Sequence, residues 1–325
     1  MLAPTLLLVA GLVVLTIAGH LLVEGAVRVA LLARVTATVV GLTVVAMGTS
    51  LPELAVSVGA ALEHATDIAY GNVIGSNIFN IAVILAVAAL VHTIPVPGQT
   101  IRLEYPFMVV ASFVVLLLAR DGVVDRLEGV FLVVALVSFV AYVVRLARQA
   151  TAPDDTRELA ERLERTVARA GGRARAWRIS AVMVALGIVG LGAGAEMMVR
   201  GAVTIAEAWG ISQRVIGLTI VAMGTSLPEL ATCVVAAARK EPDILLGNLV
   251  GSNIFNVLGI LGIASLITDV RVHPAAIAVD NWVMLGFAVV LFPPMAWGRS
   301  VTWRNGLFLL TGFVAYVTYL AVTTL

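Results

Sequence analysis

The sequence predicts an all-α polytopic membrane protein: ten transmembrane helices arranged as two inverted five-helix repeats. Three observations predict it. The 325 residues are 60% hydrophobic and only 13% charged, with a mean hydropathy of +1.03, whereas a soluble domain carries about 25% charged residues. Apolar stretches long enough to cross about 30 Å of hydrocarbon recur between Leu2 and Leu325. The chain also contains a near-identical internal duplication. Backbone groups in lipid must be satisfied within the segment, which requires helices or a closed barrel. A barrel would alternate over segments of about ten residues, and runs such as Phe131–Val144 do not alternate.

Ten spans follow in order: 3–31, 37–62, 67–91, 104–119, 127–147, 178–206, 213–238, 243–267, 277–297 and 303–323. The first and sixth are long enough to tilt or to continue past the membrane. The first is not expected to be a cleaved signal, because no basic residue precedes Arg28 and the apolar run is long for such a segment. Between spans five and six lies the one polar segment. There Asp154, Asp155, Glu158, Glu161 and Glu164 alternate with Arg157, Arg162, Arg165 and Arg169 at helical spacings, as expected of a solvated helix tethering two halves. The chain therefore divides into a first repeat at 1–147, a linker at 148–177 and a second repeat at 178–325.

Lysine and arginine set the orientation. With the N-terminus outside, sixteen fall at inward ends: Arg28, Arg34, Arg102, nine arginines from Arg145 to Arg178, Arg239, Lys240, Arg299 and Arg304. Five (Arg120, Arg126, Arg200, Arg214, Arg271) fall outside. Positive charge stays cytoplasmic, so both termini are expected outside and the linker inside.

The duplication decides the architecture. Gly41–Ala55 reads GLTVVAMGTSLPELA and Gly217–Ala231 reads GLTIVAMGTSLPELA; Gly71–Asn80 reads GNVIGSNIFN and Gly247–Asn256 reads GNLVGSNIFN. Every pair is 176 residues apart. Five spans separate the copies, and an odd number reverses direction, so the second half lies upside down relative to the first. Inverted repeats typify secondary transporters, with the binding site near the midplane where the repeats meet.

The motifs supply hard oxygen ligands. Pro52 and Pro228 interrupt apolar spans, removing a donor and freeing carbonyls at Gly48 and Gly224. Irregular backbone at that depth belongs where it lines a cavity or is buried in protein. Glu53 and Glu229 stand next to these breaks, and an intramembrane carboxylate marks a functional site by default. Two facing carboxylates suit one divalent cation or, with hydroxyls and carbonyls, several Na⁺. Thr49, Ser50, Thr225 and Ser226 supply hydroxyls; a lone hydroxyl in a membrane helix usually bonds back to its own helix, but beside a proline break and a glutamate, ligation is the better reading. Asn72, Ser76 and Asn80 share a helical face, as do Asn248, Ser252 and Asn256. Gly71, Gly75, Gly247 and Gly251 have the spacing that lets helices pack closely. Asn77 and Asn253 point elsewhere and are expected to hold the broken helices together.

Other chemistries find little support. Net charge is +1, without the basic stripe of a nucleic-acid protein. Cys233 is the single cysteine, so no intrachain disulfide forms. His20, His64, His92 and His273 are scattered, no HExxH occurs, and no P-loop points to ATP. No enzymatic activity, resident cofactor or obligatory protein partner is expected.

GTSLPE followed by GNxxGSNIFN, twice, resembles the alpha-repeats of the calcium/cation antiporter superfamily, and most strongly the prokaryotic sodium/calcium exchangers. The resemblance implies a core of spans two, three, seven and eight with four cation sites. Glu53 and Glu229 would bind Ca²⁺ together with the carbonyls of Thr49 and Thr225. One flanking Na⁺ site would involve Ala46, Ser50 and Ser252, the other Ala222, Ser226 and Ser76, with Asn80 and Asn256 lining the centre. Spans one and six would slide across this core. Some relatives carry Asp at the position of Asn80 or Asn256; two asparagines argue against the potassium-dependent branch. The expected activity is Na⁺/Ca²⁺ antiport by alternating access in the bilayer of a prokaryotic cell membrane. A proton-coupled divalent-cation antiporter is the alternative on the same fold, and a cation channel is the rival from another class.

Overall fold

A computed structural model describes residues 2–149, 156–209 and 222–324. Among these, eight helices are long and apolar enough to cross a membrane: α1 Leu2–Ala33, α4 Thr66–Val91, α5 Thr100–Asp121, α6 Arg126–Ala147, α8 Arg173–Ala208, α10 Pro242–Ile267, α11 Ala276–Gly298 and α12 Trp303–Thr323. A ninth crossing is the pair α2 Ala37–Thr49 and α3 Leu51–Leu62, bent by 48° at their junction. The expected second span is thus a broken one. The expected seventh span, 213–238, falls partly outside the described residues; its second half is the short apolar helix α9, Leu227–Ala238.

Burial separates the helices into two classes. In the most apolar stretch of α4 and of α10, 72% and 83% of residues are buried, against 11% in α12. The central pair is therefore surrounded by protein, while α12 turns most of its surface outward. Exposed residues on α1 such as Leu6, Val9, Val13 and Ile17 are the outward face of a helix whose solvent is lipid.

The two longest helices, α1 and α8, pack backbone to backbone. A Cβ placed on Gly201 would lie 2.8 Å from the Pro4 carbonyl, one on Gly187 2.8 Å from Leu22 Cα, and one on Gly25 3.0 Å from the Val184 nitrogen. The partners run in opposite directions along the two helices, so they are antiparallel, as their inverted order demands. Small residues permit this approach.

Two short strand pairs link the halves. β1 (Ile94–Pro95) pairs antiparallel with β4 (Ser300–Val301), and β2 (Val123–Val124) with β3 (Val270–Arg271). Each joins a loop of the first half to a loop of the second. The expected topology puts the first two loops inside and the other two outside, so each pairing joins loops of one face. The duplication extends to backbone detail. His64 and Lys240, 176 residues apart, both adopt φ of 58° after a helix end, a left-handed conformation usually left to glycine or asparagine. Wider helical turns at Asn80–Ile84 and Phe255–Ile260, and at Thr100–Glu104 and Ala276–Asp280, recur at matching places.

The polar segment contains a helix as expected, α7 at Thr156–Ala170. It is not wholly solvated: Leu163, Val167 and Ala170 pack against Leu32, Ala176 and Ile179 at the ends of α1 and α8. The acid–base spacing hid this narrow apolar stripe. Residues 150–155 of the expected tether, with Asp154 and Asp155, lie outside the described residues.

Candidate functional site

The site is built around the two helix breaks. Helix α2 stops at Ser50, whose φ of −85° and ψ of 11° leave the helical region, and α3 begins at Leu51. In the second copy Ser226, with φ −90° and ψ 6°, precedes α9 at Leu227. Pro52 and Pro228 stand in the first turn of the new helices, where a missing N–H is harmless and the fixed φ is already helical. The sequence suggested prolines kinking continuous spans; instead each helix ends and restarts just ahead of its proline. Gly48 and Gly224 are needed for space. A Cβ there would collide with the Ile188 and Val199 side chains of α8.

Glu53 and Glu229 occupy the first turns of α3 and α9, where free backbone N–H groups and the helix dipole favour negative charge. Both are buried, at 1% and 2% exposure. The breaks serve them crosswise. Ser226 Oγ donates to Glu53 Oε1 at 3.0 Å, and Ser50 Oγ donates to Glu229 Oε1 at 2.8 Å. Each carboxylate is thus held by the serine of the other copy. The Ser226 hydroxyl also lies 3.5 Å from Ser76 Oγ.

The second oxygens are different. Glu53 Oε2, Glu229 Oε2, Asn80 Oδ1, Asn256 Oδ1 and Ser252 Oγ are buried without a hydrogen-bond partner among the described residues. An unsatisfied buried polar group typically costs about 1–3 kcal/mol, and more when charged. Two further buried atoms among the described residues lack a partner, Asn253 Oδ1 and Asn281 Nδ2; the six oxygens are of the ligand type that Na⁺ and Ca²⁺ select. No group of three or more His, Cys, Asp or Glu placed to hold a metal ion occurs among the described residues; the buried carboxylates of Glu53 and Glu229 are accompanied by neutral oxygens.

The remaining expected residues divide. Thr49 is buried, its hydroxyl 3.1 Å from Asn248 Oδ1 and 3.3 Å from the Ala46 carbonyl. That carbonyl also accepts the Ser50 N–H at 3.0 Å, so Ala46 is engaged in closing the last turn of α2. Thr225 is half-buried beside Glu53. The side chain of Ala222 lies outside the described residues. Asn72 turns its amide away from the carboxylates, donating to the Glu53 backbone carbonyl at 3.1 Å and to Ser57 Oγ at 2.9 Å. It clamps α3 to α4. Gly247 and Gly251 meet the backbone of Thr38 and Leu42 directly, as the packing reading expects; the counterparts of those two residues, 214 and 218, lie outside the described residues.

Asn77 carries more than its sequence context suggested. Its amide donates to the Asn253 carbonyl at 3.2 Å, and its oxygen accepts from Asn256 Nδ2 at 3.0 Å. It therefore ties α4 to α10 and fixes the amide of Asn256 so that Asn256 Oδ1 stays unpartnered. The recurrence of Asn immediately after Ser in both motif copies was the available signal.

The likeness to known proteins is extensive. The family described as Sodium/calcium exchanger protein matches residues 3–145 and 179–322, two stretches whose starts are displaced by the same 176 residues as the motifs. The Escherichia coli (strain K12) inner membrane protein YrbG is 36% identical over 323 residues, covering 99% of this chain and 97% of its own. The putative antiporter CaxA of Alkalimonas amylolytica is 35% identical, covering 97% and 98%. The sodium/calcium exchanger MaX1 of Methanosarcina acetivorans is 30% identical, covering 97% of each chain. A solved structure of the sodium-calcium exchanger NCX_Mj superposes with a TM-score of 0.83 at 29% identity, covering 98% of both chains. With both halves matched and the whole length covered, this chain is an integral membrane antiporter of the sodium/calcium exchanger family.

Proposed function

We propose that the protein exchanges Na⁺ for Ca²⁺ by alternating access, the two ions competing for one site built on Glu53 and Glu229. The observation that carries this reading is the crosswise pairing of two buried glutamates with the serines of the opposite motif copy, each glutamate keeping one buried oxygen unpartnered among the described residues. A cation held there regains the interactions those oxygens lack. Thr49, Thr225, Ser50, Ser226, Ser76, Ser252, Asn80, Asn256, Ala46 and Ala222 complete the proposed ligand set, through side chains or carbonyls. The relatives named as sodium/calcium exchangers support the choice of ions.

The architecture proposed with it is ten spans: α1, the broken α2–α3, α4, α5 and α6 in the first repeat, and α8, a seventh span ending in α9, α10, α11 and α12 in the second. The repeats are 1–147 and 178–325, joined by 148–177. Both termini face outward and the linker faces the cytoplasm, in a prokaryotic cell membrane. With both carboxylates ionised, an empty site would carry two negative charges in the membrane, which disfavours crossing without an ion and would couple the two fluxes. Its partners are the transported ions, Na⁺ and Ca²⁺, and the lipid bilayer.

Purified protein in proteoliposomes loaded with Na⁺, K⁺ or choline at matched pH tests this, with uptake of radioactive calcium as the readout. Uptake confined to Na⁺-loaded vesicles is the expected result. Uptake driven by a pH gradient without Na⁺ would instead assign a proton-coupled antiporter, and flux independent of any counter-ion would indicate a channel.

A further inference from the structure

We infer that the junction of α1, the linker helix α7 and the turn between α9 and α10 forms a binding site for the phosphate headgroup of an anionic phospholipid. A cleft of about 310 Å³ opens there, lined by Glu24, Val27, Arg28, Leu31, Arg165, Thr166, Arg169 and Arg239. Four arginines and one glutamate face one small volume. The glutamate is already engaged, since Glu24 accepts hydrogen bonds from Arg28 and, at 3.4 Å, from both terminal nitrogens of Arg239. This pairing fixes two guanidinium groups at the wall, and Arg169 adds a further cationic group to the same lining. Guanidinium is the side-chain group best suited to phosphate, offering planar paired donors.

The apolar part of the lining selects a lipid over a free anion. Val27 and Leu31 are one helical turn apart on α1, on the wall that also carries Arg28. The cleft is therefore amphipathic, basic beside the polar linker and apolar along a membrane helix. Basic pockets at the polar ends of membrane helices hold anionic headgroups in this way. A headgroup seated here would touch three segments that are distant in sequence, near residues 28, 169 and 239. It would fasten the linker helix to α1 and to the core turn. Placing the cleft on the cytoplasmic side rests on the orientation proposed above; the headgroup chemistry does not, and neither depends on which ions are exchanged.

Direct lipid binding tests this separately from transport. Wild-type protein in a neutral detergent is titrated with short-chain phosphatidylglycerol, with phosphatidylcholine of equal chain length, and with inorganic phosphate. Retained lipid is counted by native mass spectrometry and stability is followed by thermal melting. Phosphatidylglycerol should be retained in preference to phosphatidylcholine and should raise the melting temperature. Arg28→Gln with Arg169→Gln should weaken that binding roughly tenfold or more, while Arg28→Lys with Arg169→Lys should keep most of it. If the glutamine pair does not yield folded protein, Arg169→Gln alone, on the exposed face of α7, gives the same comparison with a smaller loss. Equal retention of the two lipids by the wild type would overturn the inference, as would undiminished phosphatidylglycerol binding in the glutamine variants. Stabilisation by inorganic phosphate without any by phosphatidylglycerol would replace the lipid with a soluble phosphate and overturn it equally.

Discussion

The α1–α8 pair and the α4–α10 core are held together by opposite means. The long helices meet through glycines, with Gly11, Gly25, Gly187, Gly194 and Gly201 bringing backbone against backbone; Arg173 Nη2 donates to the Leu32 carbonyl near their common end. The core is stitched across the repeats by directional bonds: Asn77 to Asn253, Asn256 to Asn77, Ser50 to Glu229 and Ser226 to Glu53. A smooth non-directional surface lets helices shift with little penalty, whereas a hydrogen-bonded network has discrete arrangements. Under the proposed function, the comparison assigns motion to the glycine-packed pair and ion binding to the hydrogen-bonded core.

Changes at the carboxylates should break the comparison hardest. Glu53→Gln and Glu229→Gln each remove charge from the centre and should reduce calcium exchange about a hundredfold or more, at roughly 3 kcal/mol for a lost partner in a buried charged set. Melting temperature should fall little, since the amide keeps the shape; near-normal calcium flux in either variant would remove these residues from the site. Ser50→Ala and Ser226→Ala should follow, each raising the calcium concentration for half-maximal exchange about tenfold, as a hydrogen bond to a charged group is worth about 1.5–3 kcal/mol. Their effects should match within about threefold if the crosswise arrangement is functionally symmetric; a loss confined to one serine would show that the repeats are not equivalent.

Packing variants probe the other partner in the comparison. Gly187→Val places branched atoms where even a Cβ would lie 2.7 Å from that of Leu22, and overpacking typically costs about 1–3 kcal/mol. It should lower the melting temperature and slow turnover without changing the apparent calcium affinity. A changed affinity with normal turnover would show that the helix pair shapes the site itself. The smallest effect is expected at Gly59, within α3, where a Cβ meets nothing within 4 Å. Gly59→Ala should raise stability by about 0.5–1 kcal/mol through helix propensity and leave transport unchanged, measured by denaturation and calcium uptake on one preparation.

Much of this organisation was legible before any coordinates. Spans longer than the bilayer is thick announce themselves by hydropathy, and a fifteen-residue motif repeated with one change fixes the internal relation between the halves. Glu53 and Glu229 stood out because charge is rare at that depth. What escaped was three-dimensional. Nothing in the order of residues told that Ser50 serves Glu229 and Ser226 serves Glu53, because the donor and acceptor lie in different repeats. The break before Pro52 looked like a kink because a proline is equally compatible with a bent helix and with the start of a new one. The reason for Gly48 lay in α8, far along the chain. The sequence assigns Asn77 to holding the broken helices together, but its partners, Asn253 and Asn256, belong to the other half and cannot be read from its neighbours.

The two strand pairs impose an order on assembly. Val123–Val124 waits for Val270–Arg271, and Ile94–Pro95 waits for Ser300–Val301. A chain emerging from its N-terminus therefore closes one face when α10 has been completed and the opposite face only after α11 has been added. Until then Ile94 and its neighbours present an open edge, the kind that recruits other chains. A nascent protein halted between those points is buckled on one side of the membrane and unfastened on the other, which makes the passage from residue 271 to residue 301 the interval in which a helper at the membrane has most to protect.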